Sequence, residues 1–184
     1  MTMKEIIHVP GGSPNHPPLR GTHDADTRHD QLIADARLAS RHRVAHGSAI
    51  AAAGLFGLLA SFQLALALGM PWGEAAWGGA HAEPGVGLRL ASGVQAVLVT
   101  GFALIVLRRA GHSVWAPLSS RWLPMATRIL AGYMALGTLM NAASQSSIER
   151  AIWTPVALSL AILCGIVAVW SPKLVARDKT AADQ

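Results

Sequence analysis

The chain has 184 residues, of which 52% are hydrophobic and 14% charged, and its formal net charge at pH 7 is +5. A soluble domain usually carries about a quarter charged residues, so this composition argues against an ordinary soluble globule. Its hydrophobicity also excludes a wholly disordered chain. A single cysteine, Cys164, excludes a disulfide framework and a paired-cysteine redox or zinc site.

Residues 1–43 form a polar tail that precedes the apolar part of the chain. Glycines and prolines between residues 10 and 18 break any regular element, so residues 1–30 are predicted to be disordered. Residues 30–43 carry a modest apolar stripe and predict a short helix, which either lies on the inner membrane surface or continues into the first span. His42 and His46 would share a face of that helix, but two ligands without a third make a weak site, and we predict no metal or cofactor.

Residues 44–172 contain four long windows with almost no charge, each long enough to cross the hydrocarbon core as a helix of about 20 residues. These windows lack the polar face that a helix of a soluble bundle turns to water. The sequence therefore predicts an all-α, integral membrane four-helix bundle, followed by a short tail at 173–184. The predicted spans cover about 47–68, 90–107, 123–141 and 152–171.

The basic residues near the span ends predict the orientation of the bundle. Nine of them fall on the side that holds both termini and the loop after the second span, and two, Arg89 and Arg150, fall on the other. Because Lys and Arg in short flanks stay in the cytoplasm, both termini are predicted inside (N-in/C-in), in a bacterial plasma (inner) membrane. The basic residues thus lie mainly at the predicted cytoplasmic face of the membrane. This placement favours membrane lipids, and not nucleic acid, as partners.

Small residues recur every four positions on the first and fourth spans, and such stripes let helix backbones approach closely. They predict either contacts within the bundle, which we favour, or a homo-oligomer. The stripes comprise Ala49, Ala53, Gly57, Ser61, Ala65 and Gly69, and Ala157, Ala161 and Gly165.

Polar side chains inside the predicted spans are candidates for function. Antiparallel threading places Gln63, Gln95, Thr138 and Asn141 at one depth near the outer surface, and Tyr133, near mid-span, either joins them or bonds to a neighbouring carbonyl. They either hydrogen-bond across helices as structural links or line a small polar pocket. Arg128 lies about two turns from the inner end of the third span, where it either snorkels to the headgroups or binds a lipid or another anion. The predicted spans hold no carboxylate, which disfavours a proton-driven pump.

The loop after the first span is the most distinctive segment of the sequence. Gly69 and Pro71 are predicted to end the span, Trp72 and Trp77 to seat the turn at the interface, and Glu74 to pair with Arg89 across the base of the loop. The loop is either a cap on the bundle or a lid over the polar residues below it. Candidate ligand-binding residues are thus Gln63, Trp72, Glu74, Trp77, Arg89, Gln95, Tyr133 and Asn141, with Arg128 as a candidate for lipid or anion.

These residues resemble a family of small, uncharacterised four-pass bacterial membrane proteins, which share a Leu-Gly-x-Pro-x-Gly-Glu-x-Ala-x-Gly-Gly stretch after the first span. Residues 68–79 match every specified position, and Leu88–Arg89 matches the entry to the second span. The chain also resembles the family in a second stretch, before the fourth span, at Asn141, Ser144, Glu149, Arg150 and Pro155. Glu83–Pro84–Gly85 departs from the Val-Leu-Pro of the family. The resemblance covers about 44–172 and implies the four-pass topology but no activity.

Three classes of function follow from this reading. We favour a non-enzymatic membrane protein that binds a lipid, a small molecule or a membrane partner through its outer loop. The alternatives are a subunit of an oligomeric transporter or channel, and a membrane enzyme that acts on an apolar substrate. The sequence contains no metalloprotease, serine-hydrolase or P-loop motif.

Overall fold

The computed structural model describes residues 20–76 and 85–171. In these residues the fold is all-helical, as predicted, and contains no strand. Its four long helices are α1 (Arg20–Ala67), α2 (Val86–Arg109), α3 (Leu123–Ala142) and α4 (Thr154–Trp170). A 3₁₀ helix at Gly73–Ala75 follows α1, and a π-helix at Glu149–Trp153 runs directly into α4.

By its internal contacts the chain divides into two units, Met1–Arg37 and Leu38–Gln184. In the first unit, α1 begins at Arg20, about ten residues before the start that the apolar stripe predicted. Beyond Gly21 this stretch has no glycine or proline, the two residue types that most disfavour a helix. The same helix runs on into the first predicted span. The predicted disorder of residues 1–19 and the tail at 173–184 lie outside the described residues.

Three helical segments are long and apolar enough to cross a membrane: Thr27–Ala67, Val86–Arg109 and Glu149–Trp170. The fourth long helix, α3, covers the predicted third span almost residue for residue, but it is not among these three segments. Arg128 and Asn141 lower its mean hydropathy, because both side chains are strongly polar. The apolar character of α1, α2 and α4 therefore confirms the prediction of helices suited to a membrane. The helix α3 is part of the bundle because it packs against α4 and α2.

The core of the second unit lies along the axis of the four helices. Phe56 of α1 meets Phe102 of α2 edge to face, with ring centroids 6.0 Å apart. The helix α3 packs mainly against α4, and next against α2. The buried core residues are Ala49, Ala52, Phe56, Val99, Val106, Ala110, Leu130, Met134, Leu160, Cys164 and Val167.

The small-residue stripe of α1 does not stay on one face of the bundle. Ala49 is buried, Ala53 is half-buried, and Gly57 and Ser61 are exposed. With 3.6 residues per turn, a step of four residues rotates by about 40° around the helix. The stripe therefore packs inside the bundle at Ala49 and emerges on the outer surface two turns later.

The end of α1 is closed by two hydrogen bonds of the Schellman type. Gly69 has a φ of 94°, its amide donates to the carbonyl of Leu66 over 3.0 Å, and the Met70 amide donates to the carbonyl of Ala65 over 3.0 Å. The carbonyl of Ala67 accepts a third hydrogen bond from Nε of Arg89 on α2, at 3.1 Å. Glycine fits this position because L side chains rarely adopt a positive φ.

Replacement of Gly69 by alanine tests this helix end. A Cβ atom at Gly69 would lie 3.0 Å from Cζ of Arg89 in a left-handed backbone conformation. We expect Gly69→Ala to lower the free energy of unfolding by about 1–2 kcal/mol, measured by thermal or denaturant unfolding in detergent. A Cβ atom at Gly132, within α3, meets open space, so Gly132→Ala should raise stability by about 0.5–1 kcal/mol. Equal effects of the two substitutions would contradict this account of the turn.

Candidate functional site

A cavity of about 380 Å³ lies at the end of the bundle where α1 and α3 finish and α2 and α4 begin. All four helices and the end of the 3₁₀ segment contribute to its wall. Its volume falls in the range of small-molecule sites. The lining residues are Leu59, Phe62, Gln63, Ala75, Ala76, Gln95, Tyr133, Met134, Leu136, Gly137, Met140, Asn141, Glu149, Trp153, Val156, Ala157 and Leu160.

Four polar residues singled out from the sequence line this cavity together. Gln63 comes from α1, Gln95 from α2, and Tyr133 and Asn141 from α3. Gln63 and Asn141 lie within about one turn of the ends of α1 and α3, and Gln95 and Tyr133 lie about two and a half turns from the same end of the bundle. No hydrogen bond joins these four side chains to one another within the described residues. Oε1 of Gln63 is buried and has no partner there, so the arrangement resembles a polar lining more than a set of links between helices.

Glu149 is a residue of the cavity wall that the sequence reading did not select. It is the first residue of the π-helix, and its side chain is 8% exposed. The hydroxyl of Ser144 donates to Glu149 Oε2, and the Glu149 amide donates to the hydroxyl of Ser146 over 3.3 Å. The Ser-x-x-Glu pattern at Ser146–Glu149 is the signal for a helix start that was available in the sequence.

Glu149 places a carboxylate at the very start of an apolar segment, just outside the predicted fourth span. The third apolar segment begins at Glu149, three residues before the predicted start at Ile152. The segment starts with the π-helix, a wide turn in which the Thr154 amide donates to the carbonyl of Glu149. Pro155 follows and has no amide hydrogen for the carbonyl of Ala151, which disfavours a regular α-helical turn. Such π-helical turns occur frequently at functional sites.

Two hydrogen bonds attach the 3₁₀ segment to the start of the fourth helix. Nε1 of Trp153 donates to the carbonyl of Ala75 over 2.7 Å, and the Ser146 hydroxyl donates to the carbonyl of Glu74 over 3.2 Å. The ring of Trp153 also contacts Phe62, with centroids 4.6 Å apart. The loop therefore lies over one side of the cavity, held by its backbone carbonyls.

The loop residues predicted to bind a ligand are placed differently from one another. Trp72 stacks on Phe62, with centroids 6.3 Å apart, but does not itself line the cavity. The side chain of Glu74 is exposed. The predicted pairing of Glu74 with Arg89 is wrong, because Arg89 is drawn to the unsatisfied carbonyl of Ala67 at the end of α1. Trp77 lies outside the described residues.

The opposite end of the bundle carries the basic residues. Arg128 is exposed on α3 and is not part of the cavity wall. Arg109 is 4% exposed, and its Nη2 donates to the carbonyl of Ser171 over 3.0 Å. The rings of His46 and His112 stack with centroids 3.6 Å apart. Across residues 20–76 and 85–171, no three His, Cys, Asp or Glu side chains converge in a way that would hold a metal ion.

A tryptophan substitution tests the attachment of the loop. Trp153→Phe keeps the aromatic packing but removes the hydrogen bond to Ala75, so the amides of Ala75 and Ala76 should exchange about five- to tenfold faster with solvent deuterium. Hydrogen exchange with mass spectrometry measures this. Trp170→Phe, at the other end of the bundle, is the matched control and should leave that exchange unchanged. Identical exchange in both variants would show that the indole N–H does not hold the loop.

Comparisons of the chain with protein-family models, with curated proteins and with solved structures found no match.

Proposed function

We propose that the chain is a multi-pass protein of a bacterial plasma membrane in which all four helices cross and both termini lie inside. The apolar character of three helices supports this proposal, as does the packing of α3 against α4 and α2. Arg108, Arg109 and Arg121 flank the connection between α2 and α3, whereas the cavity end carries Arg89 and Arg150. This asymmetry favours the cavity end as the outer face.

In this membrane protein the cavity holds a small amphipathic molecule. One observation carries the proposal: polar side chains from three helices and the Glu149 carboxylate share one cavity, where Oε1 of Gln63 is buried without a partner. An unpaired polar group inside a membrane is costly, so such groups favour a bound partner. The apolar remainder of the wall, including Leu59, Met140 and Leu160, suits the hydrophobic part of the same molecule.

The two alternative classes need features that the described residues support less well. An oligomeric transporter or channel subunit requires a wet path between copies. A membrane enzyme requires clustered titratable groups, and the cavity wall offers two, Tyr133 and Glu149. A binding protein requires only a cavity with a mixed polar and apolar lining, which the geometry provides.

A cavity-filling substitution tests the proposal. A Cβ atom at Gly137 meets open space, and Gly137 lines the cavity, so Gly137→Phe should fill it without disturbing the helix. We expect native mass spectrometry of the protein in lipid nanodiscs to detect a bound small molecule in the wild type and its loss in Gly137→Phe. Gly132→Phe, on the same helix but outside the cavity wall, should retain it. A molecule retained in Gly137→Phe, or absent from the wild type, would contradict the proposal.

A further inference from the structure

An apolar groove on the surface of the bundle, between α1 and α2, runs towards a basic pocket at the connection between α2 and α3. The groove has a volume of about 790 Å³, and the pocket has a volume of about 740 Å³. Trp115 and Leu118 line both, so the two spaces adjoin. We infer that together they bind one anionic phospholipid, with an acyl chain in the groove and the phosphate group in the pocket.

The chemistry of the groove suits a hydrocarbon chain. Its two hydroxyl groups are already used within their own helices: Ser61 donates to the carbonyl of Gly57 over 2.9 Å, and Thr100 donates to the carbonyl of Ala96 over 2.8 Å. The lining therefore presents hydrocarbon surface, and neither hydroxyl hydrogen remains for a polar ligand. Small residues of both helices leave room for the chain, namely Ala60, Gly93, Ala96 and Gly101.

The length of the groove matches one leaflet of a membrane. From Gly93 to Ile105 the groove follows α2 for about 18 Å, at a rise of 1.5 Å per residue. The hydrocarbon core of a bilayer is about 30 Å thick, so one leaflet contributes about 15 Å. An acyl chain that enters from the connection between α2 and α3 therefore occupies nearly the whole length of the groove.

Two arginines give the pocket its charge. Nη1 of Arg108 donates to the carbonyl of Val114 over 3.3 Å, and Cζ of Arg121 lies 5.6 Å from the centroid of the Trp122 ring. Neither guanidinium forms an ion pair within the described residues, and residues 108–122 include no Asp or Glu. Each guanidinium therefore keeps N–H groups for the oxygens of a phosphate, an anion that arginine binds well.

Serine hydroxyls and an exposed tryptophan complete the site for the headgroup. Ser113, Ser119 and Ser120 line the pocket with exposed side chains, and a hydroxyl can donate to a phosphate oxygen. Trp115, where groove and pocket adjoin, is 75% exposed, as is typical of an indole at the headgroup level of a membrane. Basic pockets beside the cytoplasmic ends of membrane helices bind anionic headgroups.

A second copy of the chain fits this surface less well than a lipid. A parallel two-fold contact through the groove would bring Arg108 and Arg121 of both copies together at one depth, where like charges repel. A free phosphate would use the pocket but leave the groove without an occupant. The inference requires that α1 and α2 cross the membrane, as in the proposed function, but it does not depend on the cavity at the other end of the bundle.

Titration of the delipidated full chain in detergent, read by native mass spectrometry, tests the inference with three probes. They are dioleoylphosphatidylglycerol, dioleoylphosphatidylcholine and glycerol 3-phosphate. We expect the anionic lipid to bind about tenfold more tightly than the zwitterionic lipid, whose ammonium group offsets the attraction of the phosphate to the arginines. Glycerol 3-phosphate should bind far more weakly than either lipid, because it has no chain to bury in the groove.

Two substitutions assign the binding to the groove and to the pocket. A Cβ atom at Gly101 meets open space in the groove, so Gly101→Phe should fill it and weaken phosphatidylglycerol binding about tenfold, whereas Gly132→Phe on α3 should not. Arg121→Gln should weaken the same binding about five- to tenfold. Arg41→Gln removes an equal charge from the exposed part of α1 and should leave the affinity unchanged. Arg121 is itself exposed, so its variant keeps the test open if Gly101→Phe does not fold.

Three outcomes would overturn the inference. The first is an affinity for phosphatidylcholine or glycerol 3-phosphate equal to that for phosphatidylglycerol. The second is phosphatidylglycerol binding that neither Gly101→Phe nor Arg121→Gln weakens. The third is a dimer that Gly101→Phe dissociates, which would assign the groove to a second copy. None of these outcomes touches the cavity, whose ligand is tested with Gly137→Phe, so failure of the lipid site and failure of the proposed function are distinguishable.

Discussion

Phe56→Ala should lower the free energy of unfolding of the bundle by about 2–4 kcal/mol. The Phe56 side chain is 0% exposed, lies in the core between α1 and its neighbours, and meets Phe102 edge to face. If the separated helices remain in lipid, transfer from water contributes little, and the loss comes from missing van der Waals contacts around the space left behind. Thermal or denaturant unfolding of the purified protein in detergent measures the change.

Leu58 provides the matched control on the same helix. Its side chain is 56% exposed, two residues beyond Phe56, and in the proposed membrane setting it contacts lipid in both the assembled and the separated helices. Leu58→Ala should therefore change stability by less than about 0.5 kcal/mol. A loss at Leu58 as large as that at Phe56 would mean that the exposed face of α1 packs against another protein surface.

The long helices were predictable because charge and proline mark their ends. Leu123–Pro124 opens α3 at the predicted residue, and Gly69 ends α1. The start of α2 was placed four residues late, since Arg89 was assigned to the loop, although its side chain bonds back to α1. The helical residues 20–29 could not be predicted for a different reason: unlike residues 30–43, they carry no apolar stripe and so give little periodic signal.

The candidate site was predictable to the extent that depth along a helix follows from counting residues. That counting brought Gln63, Gln95 and Asn141 to one end of the bundle and left Tyr133 nearer mid-span, and in the structure all four line one cavity. Glu149 could not be selected because two adjacent charged residues, Glu149 and Arg150, are typical of a loop. In the structure, hydrogen bonds to Ser144 and Ser146 hold Glu149 in the first helical turn. The rotation of each helix about its axis, which decides what lines the cavity, depends on packing across the bundle and not on local sequence.

The most decisive expected result concerns the number of crossings. Single cysteines at Glu74, Ser113 and Gln145, all exposed in the structure, report the side of each connection when placed in a Cys164→Ala background. Cys164 is buried, so its removal should leave the surface unchanged. If all four helices cross, a membrane-impermeant maleimide added outside labels Glu74→Cys and Gln145→Cys and leaves Ser113→Cys unmodified until the membrane is opened.

The position at Gln145 decides the role of α3. Arg128 and Asn141 reduce the apolar character of this helix, so the proposal that α3 crosses rests on its packing against α2 and α4 and not on its composition. If the maleimide labels both Gln145→Cys and Ser113→Cys only from the inside, α3 does not cross the membrane. The cavity would then not open to the proposed outer face. Labelling of Glu74→Cys and Ser113→Cys from one side would remove the crossing of α2 and with it the membrane topology. A polar cavity open to the outer surface requires that the residues at 74 and 145 share a side, because Glu74 and Ser146 are joined by a hydrogen bond above it.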